Sequence, residues 1–195
     1  MDIRWNAYSI IRLLHDGALR DLPRPQAREN YRFLIENRAA REFELGHLLA
    51  HNGSQLEATE RGIQQLNDFF RENVSEDPDR PRMILPEWIS VSFDIGLFLG
   101  DFVISRHPHL RWGFEASPKS SIDFQQPVIV GFQNAGMKNY SWGFIRRVLG
   151  YANQIANEGN GPETVVVRGE EFTLREKEVD GSLFMRIVRG IDQHA

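Results

Sequence analysis

Two aspartates seven residues apart, Asp94 and Asp101, precede a His107-Pro108-His109 triplet and Arg111. A carboxylate among apolar neighbours has a raised pKa and can exchange protons near neutrality. Histidine titrates in that range unaided, and arginine grips anionic substrate groups with two parallel hydrogen bonds. One reading is therefore a small hydrolase or metal-dependent enzyme using Asp94, Asp101, His107, His109 and Arg111, all five converging in one concave pocket. Spacing argues against it: seven residues of helix separate Asp94 from Asp101, and Glu87 from Asp94, by about 10 Å, too far for a shared proton. The simpler reading pairs Asp94 or Asp101 with Arg111, Arg106 or another arginine beside the core.

A second constellation, Glu44, His47 and His51, can occupy one face of a helix and has the residue types of a zinc set. The metalloprotease motif places a glutamate directly after its first histidine, however, and here that position is Leu48. A histidine in the last turn also complements the helix dipole, so a structural or surface pair is the favoured reading, with no cofactor expected. The serines at 117, 120 and 121 sit in no Gly-x-Ser-x-Gly elbow, and no phosphate-binding glycine loop is present. With no cysteine there is no disulfide, thiolate metal site or cysteine nucleophile.

Composition narrows the partners. A formal charge of −4 and a pI near 5.9 give no general attraction to nucleic acid or anionic membranes. The 20 arginines against 3 lysines are interleaved with acids rather than clustered, so nucleic acid is not the expected partner. Arg146-Arg147 reads as a solvated helix face. The start, with Asp2 and Arg4, does not resemble a secretory signal, and the apolar run around Phe98, broken by Asp94 and Asp101, reads as too short to cross a membrane. The expected location is cytoplasmic.

The elements that must position these residues are legible as patterns. Trp88 to Ile104 reads as one helix with three sides: an acidic seam of Glu87, Ser90, Asp94 and Asp101, a broad apolar arc, and a small-residue stripe of Ser92, Gly96 and Gly100. Such a helix belongs at the domain centre. Upstream, Trp5 to His15 fits helical spacing, and a long helix is expected from Gln26 to His51, ended by Asn52-Gly53. Ser54 and Glu57 form a capping box for an antiparallel helix reaching Asn73, so that the two make a hairpin. Ser75 to Pro86 reads as an exposed connection.

Downstream, His109 to Ala116 and Pro127 to Gln133 read as strands around a long loop, and Tyr140 to Asn157 as a helix closed by Asn160-Gly161-Pro162. In the tail, Thr164 to Arg168 and Phe172 to Val179 read as strands. Asp180-Gly181 signals a hairpin, which favours a strand over 182–192, although Leu183, Phe184, Ile187, Val188 and Ile191 also fit a helix.

The segments Asp94 to Asp101, Pro108 to Trp112 and Gln126 to Phe132 resemble a pattern found in small uncharacterised bacterial α+β proteins, in which a Leu-Gly-acid helix end leads into a tryptophan-bearing strand. The resemblance spans about residues 90–132. It implies an immunity or accessory partner of a bacterial toxin and transfers no catalytic residue. The expectation is a single α+β domain over 1–195, with a helical portion at 1–75 and a central helix plus sheet at 87–195. That places an N-terminal helical layer with its hairpin beside a buried central helix and an antiparallel sheet covered by helix 140–157. The expected function is non-enzymatic binding of a basic protein partner through the acidic stretch Glu72 to Asp79 and the seam edge at Glu87. A structural, self-associating module is the third reading.

Overall fold

A computed structural model describes residues 3–5, 8–116, 118–133, 140–158, 163–167, 170–174 and 179–195, with 163–167 and 170–174 described as backbone. Asn160-Gly161-Pro162, Ser117 and Arg168 lie outside these residues. The fold is α+β: five helices with three two-stranded antiparallel ribbons among the described residues.

The first helix, α1, runs Arg24–His51 with Pro25 in its first turn, where a missing N–H costs nothing. Ala27, Asn30, Leu34, Arg41, Leu45, Leu48 and Leu49 form its buried stripe, so polar side chains occupy core positions within a helical period. Its end is a Schellman turn: Ser54 N–H donates to Leu49 O (2.8 Å), Gly53 N–H to Ala50 O (3.2 Å), and Gly53 adopts φ +77°. The second helix, α2, spans Glu60–Asn73 and starts later than the capping-box reading expects. Thr59, not Ser54, is its cap, accepting from Gly62 N–H at 3.0 Å. Residues 54–58 instead fold over the first turn of α2, where a Cβ on Gly62 would strike the Glu57 carbonyl. The two helices are not paired as a hairpin: α1 lies along the central helix, while α2 packs against the last helix.

The central helix, α3 (Pro86–Arg106), is buried from Ser90 to Gly100 and has a different neighbour for each side. By length and composition it could cross a membrane, contrary to the shorter span read from sequence, but most of its apolar stretch is covered by the rest of the fold. Its small-residue stripe meets α4 (Phe144–Ala156) at Gly96 and Trp112 at Gly100. A Cβ on Gly96 would lie 2.6–2.8 Å from Ile145, backbone atoms included, and one on Gly100 would overlap the Trp112 ring. Its apolar arc joins Phe70, Tyr151 and Phe184 around Trp88, whose ring is 5.6 Å from Phe70 and 5.0 Å from Trp5, both edge-on.

The strands form ribbons rather than one sheet. β1 (Glu76–Asp77) pairs with β2 (Arg80–Ile84), inside what reads from sequence as a plain connection. β3 (Arg111–Phe114) pairs with β4 (Pro127–Val130), Trp112 opposite Ile129, and β5 (Glu163–Val167) pairs with β6 (Glu170–Leu174). The physical reason is α3: a helix apolar on nearly every side takes up the apolar face of α4, which therefore covers a helix more than it covers a sheet.

Two further expectations change. Residues 183–192 form a helix, α5 (Leu183–Asp192), not a strand, burying Phe184, Met185, Ile187, Val188 and Ile191. Asp180-Gly181 is its entry: Asp180 Oδ1 accepts from Ser182 N–H at 2.9 Å, and Asn67 of α2 ties both Gly181 O (2.9 Å) and Phe184 N–H (3.1 Å). The amino-terminal segment expected as a helix has no regular secondary structure over residues 8–13 and lies as a strap against α1 and α3. Three backbone donors in it and just after it are met by side chains of α1 and α3: Ser9 N–H by Glu44 (3.0 Å), Ile11 N–H by Ser90 (2.8 Å) and His15 N–H by Asn30 (3.0 Å).

Candidate functional site

Where α1, α3 and the strap meet, the acidic seam of α3 is closed rather than open. Asp94, with no exposed surface, takes both ends of its carboxylate to Arg41 of α1: Nε to Oδ1 at 2.8 Å and Nη2 to Oδ2 at 2.7 Å. Tyr8 Oη also donates to Asp94 Oδ2 and lies 2.8 Å from Ser90 Oγ. The remaining Arg41 nitrogen, Nη1, donates to Ser9 O at 2.7 Å, so one guanidinium binds helix and strap together. Burial pushes the Asp94 carboxyl up to about 6, against the opposing pull of Arg41 and Tyr8. Burial, with the Asp94 charge second, also raises the Tyr8 phenol.

Two turns further on, Asp101 accepts from Arg38 Nε at 3.0 Å and from the indole Nε1 of Trp112 at 2.7 Å. Glu42 is raised by partial burial and then by the Asp101 charge. The arginines that pair with the seam are therefore Arg41 and Arg38. Arg106 instead joins Asp192 (3.0 Å) and Glu60 (3.8 Å). Arg41 sits four and seven residues before Leu45 and Leu48 on the buried stripe of α1, and a polar residue at core spacing is the signal that could have found it; Arg38, three residues earlier, lies off that stripe.

The other members of the enzyme set are distributed, not convergent. His107 meets Asp192 of α5 through Nε2 at 2.7 Å, and its ring stands 6.0 Å from that of His109. The His109 Nε2 is buried without a hydrogen-bond partner. Arg111 is exposed on β3. Asp94 is sealed from solvent and Asp101 is held by its two donors, so these five side chains line no common pocket.

The helical trio fares similarly. Glu44 is turned to the strap, accepting from Ser9 N–H; His47 is exposed with its ring 4.2 Å from Phe43; and His51 Nδ1 lies 2.9 Å from His47 O. Among the described residues no three histidine or carboxylate side chains come together as a metal set. The acidic stretch Glu72 to Asp79 is divided. Asp77 is buried in the β1–β2 turn, held below the usual carboxylate range by Arg80 and the Asp79 N–H. Glu76 accepts from Arg82 N–H, and Glu87 is half-buried at the start of α3.

A groove of about 780 Å³ is open between the Asn52–Glu57 turn and α2. Among the described residues Glu57, Asp68 and Glu72 are its acids and Arg61 its one cation, and Ile3 and Phe69 give it an apolar patch. All three acids are exposed. Of the expected acidic stretch, Glu72 alone among the acids contributes to it; Glu57 and Asp68 come from outside that stretch, brought in by the turn and by the helical period of α2. With three carboxylates over a small apolar base, the groove is suited to cationic, partly apolar chemistry.

Compared with known proteins, the chain matches no family model, no curated protein and no solved structure.

Proposed function

We propose that this chain is a non-catalytic protein-binding domain of the immunity or accessory type, acting in the cytoplasm, whose acidic groove receives a basic segment of its partner. The observation that supports this reading is a contrast between two sets of carboxylates. Asp94 and Asp101 are spent on Arg41 and Arg38, whereas Glu57, Asp68 and Glu72 face solvent around Ile3 and Phe69. Internal pairing consumes the seam carboxylates that an enzyme would need. The groove leaves charge available for steering and an apolar base for an anchoring side chain.

The test is affinity capture of the tagged chain from its native host, alongside a variant carrying Glu57→Gln, Asp68→Asn and Glu72→Gln. The wild type is expected to return one stoichiometric basic partner, released as salt rises, and the variant to lose it. A bait that returns alone, or a variant that holds the same partner equally well, overturns the reading.

A further inference from the structure

A second cavity, sharing no lining residue with the acidic groove, lies between α4 and α5 and has the opposite chemistry. It measures about 520 Å³, within the range of small-molecule sites, and its walls include Trp142, Arg147, Ile187 and Arg186. Arg147 lies over the Trp142 ring at 4.0 Å from its centroid and is tethered by Nη1 to Gly143 O at 2.7 Å. The helix face that reads from sequence as solvated thus has one arginine laid on an indole. Asp123 stands 3.7 Å behind Arg147, and Asp180 is 2.8 Å from Arg186, but neither acid lines the cavity. The indole Nε1 of Trp142 is buried with no hydrogen-bond partner.

Two glycines complete the walls, Gly150 in α4 and Gly190 in α5. Glycine is a poor helix former, so a helical glycine needs a reason. Gly96 and Gly100 have one, since a Cβ at either would collide with its neighbour. Gly150 has none in the packing: a Cβ there meets nothing within 4 Å, and one at Gly190 meets Trp142 only at ordinary contact distance, 3.5 Å. Gly46 of α1 is likewise unforced; of these three, Gly150 and Gly190 border the same cavity, which larger side chains would fill.

We propose that this cavity is a binding site for a small aromatic carboxylate, its ring against Trp142 and Ile187 and its charge toward Arg147 and Arg186. The probes are 2-naphthoate and its neutral counterpart 2-naphthamide, titrated into isotope-labelled protein while the indole N–H resonances are followed. Saturable shifts of the Trp142 resonance by naphthoate are expected, with naphthamide about tenfold weaker. Gly150→Leu, which fills the cavity and favours the helix, is expected to weaken naphthoate about tenfold without lowering the melting temperature. Arg186→Gln, at an exposed position, is expected to weaken naphthoate and leave naphthamide unchanged. No saturable binding in the millimolar range, equal affinity for the two probes, or full binding by folded Gly150→Leu would each overturn the assignment.

Discussion

Asp94 and Asp101 look alike in the sequence and differ in every physical respect that matters for stability. Asp94 is wholly buried against an Arg41 that is itself almost covered, whereas the Arg38–Asp101 pair is partly exposed at both ends. Removing one partner of a buried pair strands the other charge, a loss of about 3–5 kcal/mol, while a solvent-screened pair is worth about 1 kcal/mol or less. Asp94→Asn is therefore expected to lower the denaturant midpoint far more than Asp101→Asn. Asp94 also carries a pH signature. With its folded pKa near 6 and its ordinary value of 3.8, the folded state keeps a proton between pH 4 and 6 that the unfolded chain has released. Stability from this group is present below pH 4 and declines as pH rises to about 6. Unfolding free energies over that range should fall more steeply with pH in the wild type than in Asp94→Asn, which keeps the contributions of other carboxyls raised by burial, such as Glu42 and Asp123.

At the scale of elements, glycines separate those that the packing needs from those that it tolerates. At Gly96 the backbones of α3 and α4 approach so closely that a methyl group would have to push Ile145 aside. At Gly46, within α1, a Cβ would meet nothing within 4 Å. Gly96→Ala is expected to destabilise by about 1–3 kcal/mol through overpacking, and Gly46→Ala to stabilise by about 1 kcal/mol through helix propensity. Thermal melts of the two variants should move in opposite directions. The strap and α5 show the limits of local pattern at this scale. Ile11 and Leu14 sit at helical spacing, yet Ser90, Glu44 and Asn30 offer the strap's backbone better partners than a helix could. Leu183 to Ile191 fit a helical period well, and the Asp-Gly hairpin signal misleads because Asp180 turns its carboxylate to the α5 entry instead.

Across the whole molecule, one hydrophobic cluster takes in residues from α1, α2, α3, α4 and α5 together with Tyr8 of the strap. Helices that share a core in this way should unfold together. Far-ultraviolet dichroism, reporting helix, and tryptophan fluorescence, reporting Trp5, Trp88, Trp112 and Trp142, are expected to give coincident denaturation curves; separated midpoints would divide the chain into independent units. What the sequence by itself determined is local and periodic: the α+β class, the long α1 with its Asn52-Gly53 stop, the three-sided α3 and the β3–β4 pair. Each follows from side-chain spacing along one segment. The partners were decided only by the tertiary structure: Arg41 and Arg38 for the seam, Ile145 and Trp112 for the small-residue stripe, and Glu57 and Asp68 beside Glu72 in the groove. Periodicity says which face of a helix is charged or bare, but which neighbour meets that face depends on how all five helices share the burial of one apolar core.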